Sequence, residues 1–89
     1  MVINHVNNAQ GQRLTNGWNL FFDNHLTLWK KDEQYLLLDT NKEVVLIFAF
    51  KREELIIEKV ETWRYQLKIN SDKQRLTYIG KETEFPVEG

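Results

Sequence analysis

The chain has 89 residues, 42% hydrophobic and 28% charged, with no cysteine and one proline, a balance that excludes a disordered chain, a disulfide scaffold and a cysteine-ligated metal. Its 12 basic and 13 acidic residues leave a formal charge of −1, so no global field draws it to nucleic acid or to an anionic membrane, and a polyanion would have to use a local patch. At this length one core must hold the chain or a partner chain must extend it, which makes a homo-oligomer a natural expectation.

The N-terminal MVINHVNNAQGQR lacks the basic region and apolar core of a secretory signal. The longest apolar run, Val44 to Phe50, has seven residues, far short of the roughly 20 that span a bilayer. The expectation is a soluble, cytoplasmic protein with no membrane partner. Residues 1–16, rich in Asn and Gln, read as a loosely ordered arm in which VINHV could add an edge strand.

GWNLFFDNHLTLWKK, Gly17 to Lys31, sets two β-prone runs on either side of Asp23-Asn24, residues that tolerate tight turns. It is predicted to form a hairpin with Phe22 opposite His25, Phe21 opposite Leu26, Leu20 opposite Thr27 and Trp18 opposite Trp29. A second hairpin joins Gln34–Asp39 to Glu43–Phe50 through Thr40-Asn41-Lys42. Thr40 and Glu43 also match a capping box, but the Val, Ile and Phe block that follows favours a strand. That block is read as the central strand of a meander, with Lys42, Glu43, Lys51 and Arg52 as charged flanks.

In LIIEKVETWRYQLKI, six of the eight odd positions from 55 to 69 are apolar, whereas the seven even positions hold only Ile56 and Val60. This alternation indicates two strands, with a bend or bulge near Lys59 and Glu61. The competing stripe Ile56, Val60, Trp63, Leu67 would give one helix near 53–66 and an α+β fold. QRLTYIG, Gln74 to Gly80, then pairs with Trp63–Ile69 through Asn70-Ser71-Asp72-Lys73, placing Leu67 beside Leu76, Tyr65 beside Tyr78 and Lys68 beside Arg75. Residues 81–89 form an acidic tail in which Phe85 could tuck against the core.

The fold expected is all-β: an antiparallel meander of about six strands in consecutive hairpins spanning 17–80 as one domain, either an open sheet or a small barrel. This pattern resembles, generically, the up-and-down meander of lipocalin-like barrels, but no signature residue of that family is present and no ligand carries over from it.

Candidates for chemistry are few. His5 and His25 have no ligand spacing around them. Glu53, Glu54, Glu58 and Glu61 are interleaved with lysine and arginine, as on a solvated edge. Ser71 is the single serine and lacks elbow glycines. No phosphate loop, dinucleotide fingerprint or zinc motif occurs, so no catalytic, cofactor or metal residue is assigned and the reading is non-enzymatic.

Two surfaces stand out. Trp18, Leu20, Phe22 and Trp29 form a candidate protein interface on one hairpin face, while Phe21, Leu26 and Leu28 on the other ask for a second layer, which another subunit could supply. Arg64, Lys68 and Arg75, with Gln66 and Thr77, form a candidate polyanion patch, with Trp63, Tyr65 and Tyr78 on the opposite face. The leading expectation is a small binding module acting by protein contact, as a homo-oligomer or as an accessory or inhibitor of a larger partner. The alternatives are a carrier with a cavity lined by Trp18, Trp63, Tyr65 and Phe48, and a binder of single-stranded nucleic acid through the basic hairpin.

Overall fold

Alternating and β-branched runs fill most of the chain, and strands are what they become. In the computed structural model, which describes residues 12–81, there are eight strands and no helix: β1 (Gln12–Arg13), β2 (Asn19–Phe22), β3 (Thr27–Lys31), β4 (Gln34–Leu38), β5 (Val44–Lys51), β6 (Glu54–Val60), β7 (Tyr65–Asn70) and β8 (Arg75–Gly80). They make two four-stranded sheets, which belong to separate compact units. Among the described residues each sheet runs from one edge strand to another, so the all-β class holds and neither sheet is a closed barrel.

The first unit, Asn24–Glu61, carries the order β3-β4-β5-β6, antiparallel throughout. Cross-strand partners share a face, so Leu28, Leu37 and Leu46 form one row and Tyr35 and Phe48 the next. All five are buried. Tyr35 stacks on Phe48 at 5.2 Å, and Phe50 meets both rings edge-on. Side chains of this size stabilise the fold by about 1.5–3 kcal/mol each when buried. Two bulges interrupt the ladder, with Val45 extra between Leu46 and Val44 on β5, and Glu58 extra between Ile57 and Lys59 on β6.

The hairpin at Thr40-Asn41-Lys42 forms as expected, with Asp39 as its organiser. One carboxylate oxygen accepts the N–H groups of Asn41 and Glu43, each at 2.9 Å, an Asx-type turn that competes with a helix start. The helix alternative near 53–66 is overturned, because 54–60 is strand β6 paired to β5. The bend expected near Glu61 is the link 61–64 between β6 and β7.

The second unit holds residues 12–23 and 62–81, with the order β1-β2-β8-β7. Here β2 lies parallel to β8, with Leu20 opposite Leu76 and Phe22 opposite Tyr78, and all four side chains are fully buried. This corrects the expected Gly17–Lys31 hairpin. β2 and β3 are in different sheets, and none of the four pairs foreseen across Asp23-Asn24 is made. The reason is visible at Asp23, whose buried carboxylate accepts the N–H of Gly80 at 2.7 Å. The residue is committed to the end of β8 rather than to a β2–β3 turn.

The β7–β8 hairpin exists, but its register differs by two residues from the expected one. Leu67 faces Tyr78 and Lys68 faces Thr77. Asn70 stays in the strand opposite Arg75, its side chain accepts the N–H of Lys73 at 3.1 Å, and Gln74 takes a left-handed φ of 52°. A shift of two preserves which face each side chain occupies, and Tyr65 stacks on Tyr78 at 5.1 Å. The arm expected over 1–11, with His5, and the tail over 82–89, with Phe85, lie outside the described residues.

Candidate functional site

The opposite faces of the two sheets carry the features that core packing leaves unexplained. On the first unit, Trp29 pairs with Leu36, Leu36 with Ile47, Leu38 with Val44, and Ala49 with Ile56. All of these project to the face opposite Tyr35 and Phe48. Leu36, Leu38, Val44, Ile47 and Ile56 are only half-buried, and Trp29 is 37% exposed. A groove of about 360 Å³ runs along this face, lined by Trp29, Lys30, Lys31, Leu36, Leu38 and Val44. The indole N–H of Trp29 donates to the Thr27 hydroxyl at 3.0 Å, so its one polar atom is satisfied within its own strand and the ring offers apolar surface. Exposed Lys31, Lys51, Glu54 and Lys59 rim the face.

On the second unit, pairing puts Arg13, Asn19, Arg75 and Asn70 in one row and Phe21, Thr77 and Lys68 in the next. Arg64 lies just before β7; its carbonyl accepts the N–H of Lys81 at 3.1 Å, and its guanidinium lies over the Tyr65 ring, 5.5 Å from its centre. The guanidinium of Arg75 lies over the Phe21 ring, 5.3 Å from its centre. Thus Arg13, Lys68 and Arg75 share a face with an aromatic ring from β2, whereas Arg64 is drawn to Tyr65. Sequence reading placed the aromatics elsewhere, because Phe21 arrives only through the parallel β2–β8 pairing.

Neither a family model, nor a curated protein, nor a solved structure matches this chain. Function is therefore read from the two faces themselves.

The remaining candidates are scattered. Trp18, Leu20 and Phe22 are buried in the second unit, with exposures of 8%, 0% and 0%, while Trp29 belongs to the first. The Trp18–Trp29 pair does not form, and Trp29 alone of the four presents surface. Of the carrier lining, Trp18 and Tyr65 are buried in the second unit and Phe48 in the first, while Trp63 is 83% exposed in the link before β7. His25 sits exposed in a turn and Ser71 in the exposed β7–β8 loop. Glu53, Glu54 and Glu58 are exposed, Glu61 is half-buried, and Glu58 accepts a hydrogen bond from the Gln34 amide. Among the described residues, no group of three or more His, Cys, Asp or Glu could hold a metal ion, and no helix is long and apolar enough to cross a membrane.

Proposed function

We propose that this protein is a small, non-catalytic binding module of the cytoplasm that works by protein–protein contact, docking a partner on the Trp29 face of the β3-β4-β5-β6 sheet. The first partner to consider is a second copy of the chain. One observation carries the reading: Trp29, Leu36, Leu38, Val44 and Ile47 form a contiguous, half-open apolar patch with a charged rim. Small soluble proteins seldom leave such surface to water unless something covers it, and a part-exposed tryptophan beside such a patch is a common anchor of an interface.

Sedimentation velocity across a concentration series tests this. The wild-type chain is expected to populate a defined oligomer. Leu36→Glu, which puts a carboxylate into the patch without touching the buried row of Leu28, Leu37 and Leu46, is expected to dissociate it with an unchanged circular dichroism spectrum. A wild-type chain that stays monomeric at every concentration, or an oligomer indifferent to Leu36→Glu, would overturn self-docking on this face.

A further inference from the structure

The second unit carries a surface that protein contact on the Trp29 face leaves without a purpose. Its four strands read QR, NLFF, YQLKIN and RLTYIG, and none contains a carboxylate. Arg13, Lys68 and Arg75 point to one face of this sheet. Of the unit's two described acidic residues, Asp23 is buried on the Gly80 amide and Asp72 lies in the loop after β7, so six basic residues face two acidic ones.

Between the cations stand Asn19, Gln66 and Thr77, all half-buried, each able both to donate and to accept hydrogen bonds. Among them lies the half-buried Phe21 ring with the Arg75 guanidinium above it.

We infer that this Arg75 face of the β1-β2-β8-β7 sheet binds single-stranded nucleic acid. Cations spaced over a sheet suit successive phosphates, a flat ring and a guanidinium plane suit unstacked bases, and amides and a hydroxyl suit base edges. Four strands at about 4.8 Å spacing give a platform about 14 Å across, room for two or three splayed nucleotides. An acidic polypeptide would use the cations but not the rings or the amides. A duplex keeps its bases stacked and presents grooves that a broad, flat sheet face does not enter. The site is independent of the Trp29 face, so either can fail without the other.

The test is fluorescence anisotropy of a short labelled oligo-dT or oligo-U with the full chain. Binding is expected at low salt, and three phosphate contacts to a single strand predict a loss of affinity of roughly 20-fold between about 50 and 200 mM salt. Arg75→Glu, and separately Lys68→Glu, which is exposed and leaves the core untouched, are expected to weaken binding about tenfold or more and to flatten the salt dependence. Phe21→Ala is expected to weaken it about fivefold or more with the salt slope unchanged. Leu36→Glu on the other unit is expected to bind as wild type. Absence of binding at low salt, indifference to Lys68→Glu and Arg75→Glu, silence of Phe21→Ala, or equal affinity for a duplex or for polyglutamate would each overturn the inference.

Discussion

The Asn24–Glu61 unit and the unit of residues 12–23 and 62–81 are both four-stranded sheets, yet they are assembled and surfaced differently. The first is a continuous meander in which every strand pairs with its neighbour in sequence. The second joins distant segments, with Asn19 on Arg75 and Phe22 on Tyr78 in a parallel pair. Their second faces diverge too. The first shows half-open aliphatic residues around Trp29, and its described residues hold six basic against eight acidic groups. The second shows amides, cations and one ring, with six basic against two acidic among its described residues. A chain charge of −1 conceals this division, so local charge, not the total, bears on partners.

The comparison can be pressed hardest through the cores. Phe48→Ala, which removes a fully buried ring stacked on Tyr35, is expected to cost about 3–5 kcal/mol in chemical denaturation. A loss below about 1 kcal/mol would mean that the aromatic cluster does not hold the first unit together.

Next comes the contact that commits β2 to the second unit. Asp23→Ala strips the Gly80 amide of its acceptor and is expected to cost about 1–3 kcal/mol, with Asp23→Asn nearer wild type. Hydrogen exchange at Gly80 is the matching site-specific measurement, and an unchanged rate in Asp23→Ala would remove Asp23 as the reason for this pairing.

The turns give the smallest effects, of opposite sign in the two units. Arg52 and Glu53 both hold positive φ, 54° and 66°, in the two-residue β5–β6 loop, a type I′ backbone that favours Asn-Gly. Glu53→Gly is expected to raise stability by about 0.5–1 kcal/mol. In the second unit Gly17 has φ 94°, with open room for a Cβ, whose nearest neighbour would be the Gln74 amide oxygen at 3.7 Å. Gly17→Ala is therefore expected to lose about 1 kcal/mol through backbone strain alone. Matched thermal melts compare the two, and a shift of the same sign in both would show that left-handed backbone does not govern these loops.

Much of the first unit was legible. QYLLLD, the Thr40-Asn41-Lys42 turn and the Val44 strand appear where alternation and turn residues put them, and the strand reading of 55–60 prevailed over the helical stripe. The Trp29 face was only half legible, because Leu36, Leu37 and Leu38 erase the alternation that would have shown Leu36 and Leu38 on one side and Leu37 on the other. In the second unit Lys68 and Arg75 keep a common face, since a two-residue register error does not change faces, while Arg64 turns to the Tyr65 ring. Phe21 was missed as their companion, and Trp18, Leu20 and Phe22 of the candidate interface are buried.

Sequence by itself determined which residues are strand, which side chains alternate together and where the chain turns, because period-two alternation and turn chemistry act over a few neighbouring residues. Only the tertiary structure decided the partner of β2, since the β4–β5 and β7–β8 pairs are local hairpins and this one is not. Asn19 and Arg75 are 56 positions apart, and the same alternating NLFF satisfies an antiparallel partner across a tight turn or a parallel one half a chain away. The choice rests on the buried Leu20–Leu76 and Phe22–Tyr78 pairs and on the Asp23–Gly80 hydrogen bond, contacts that no local pattern contains.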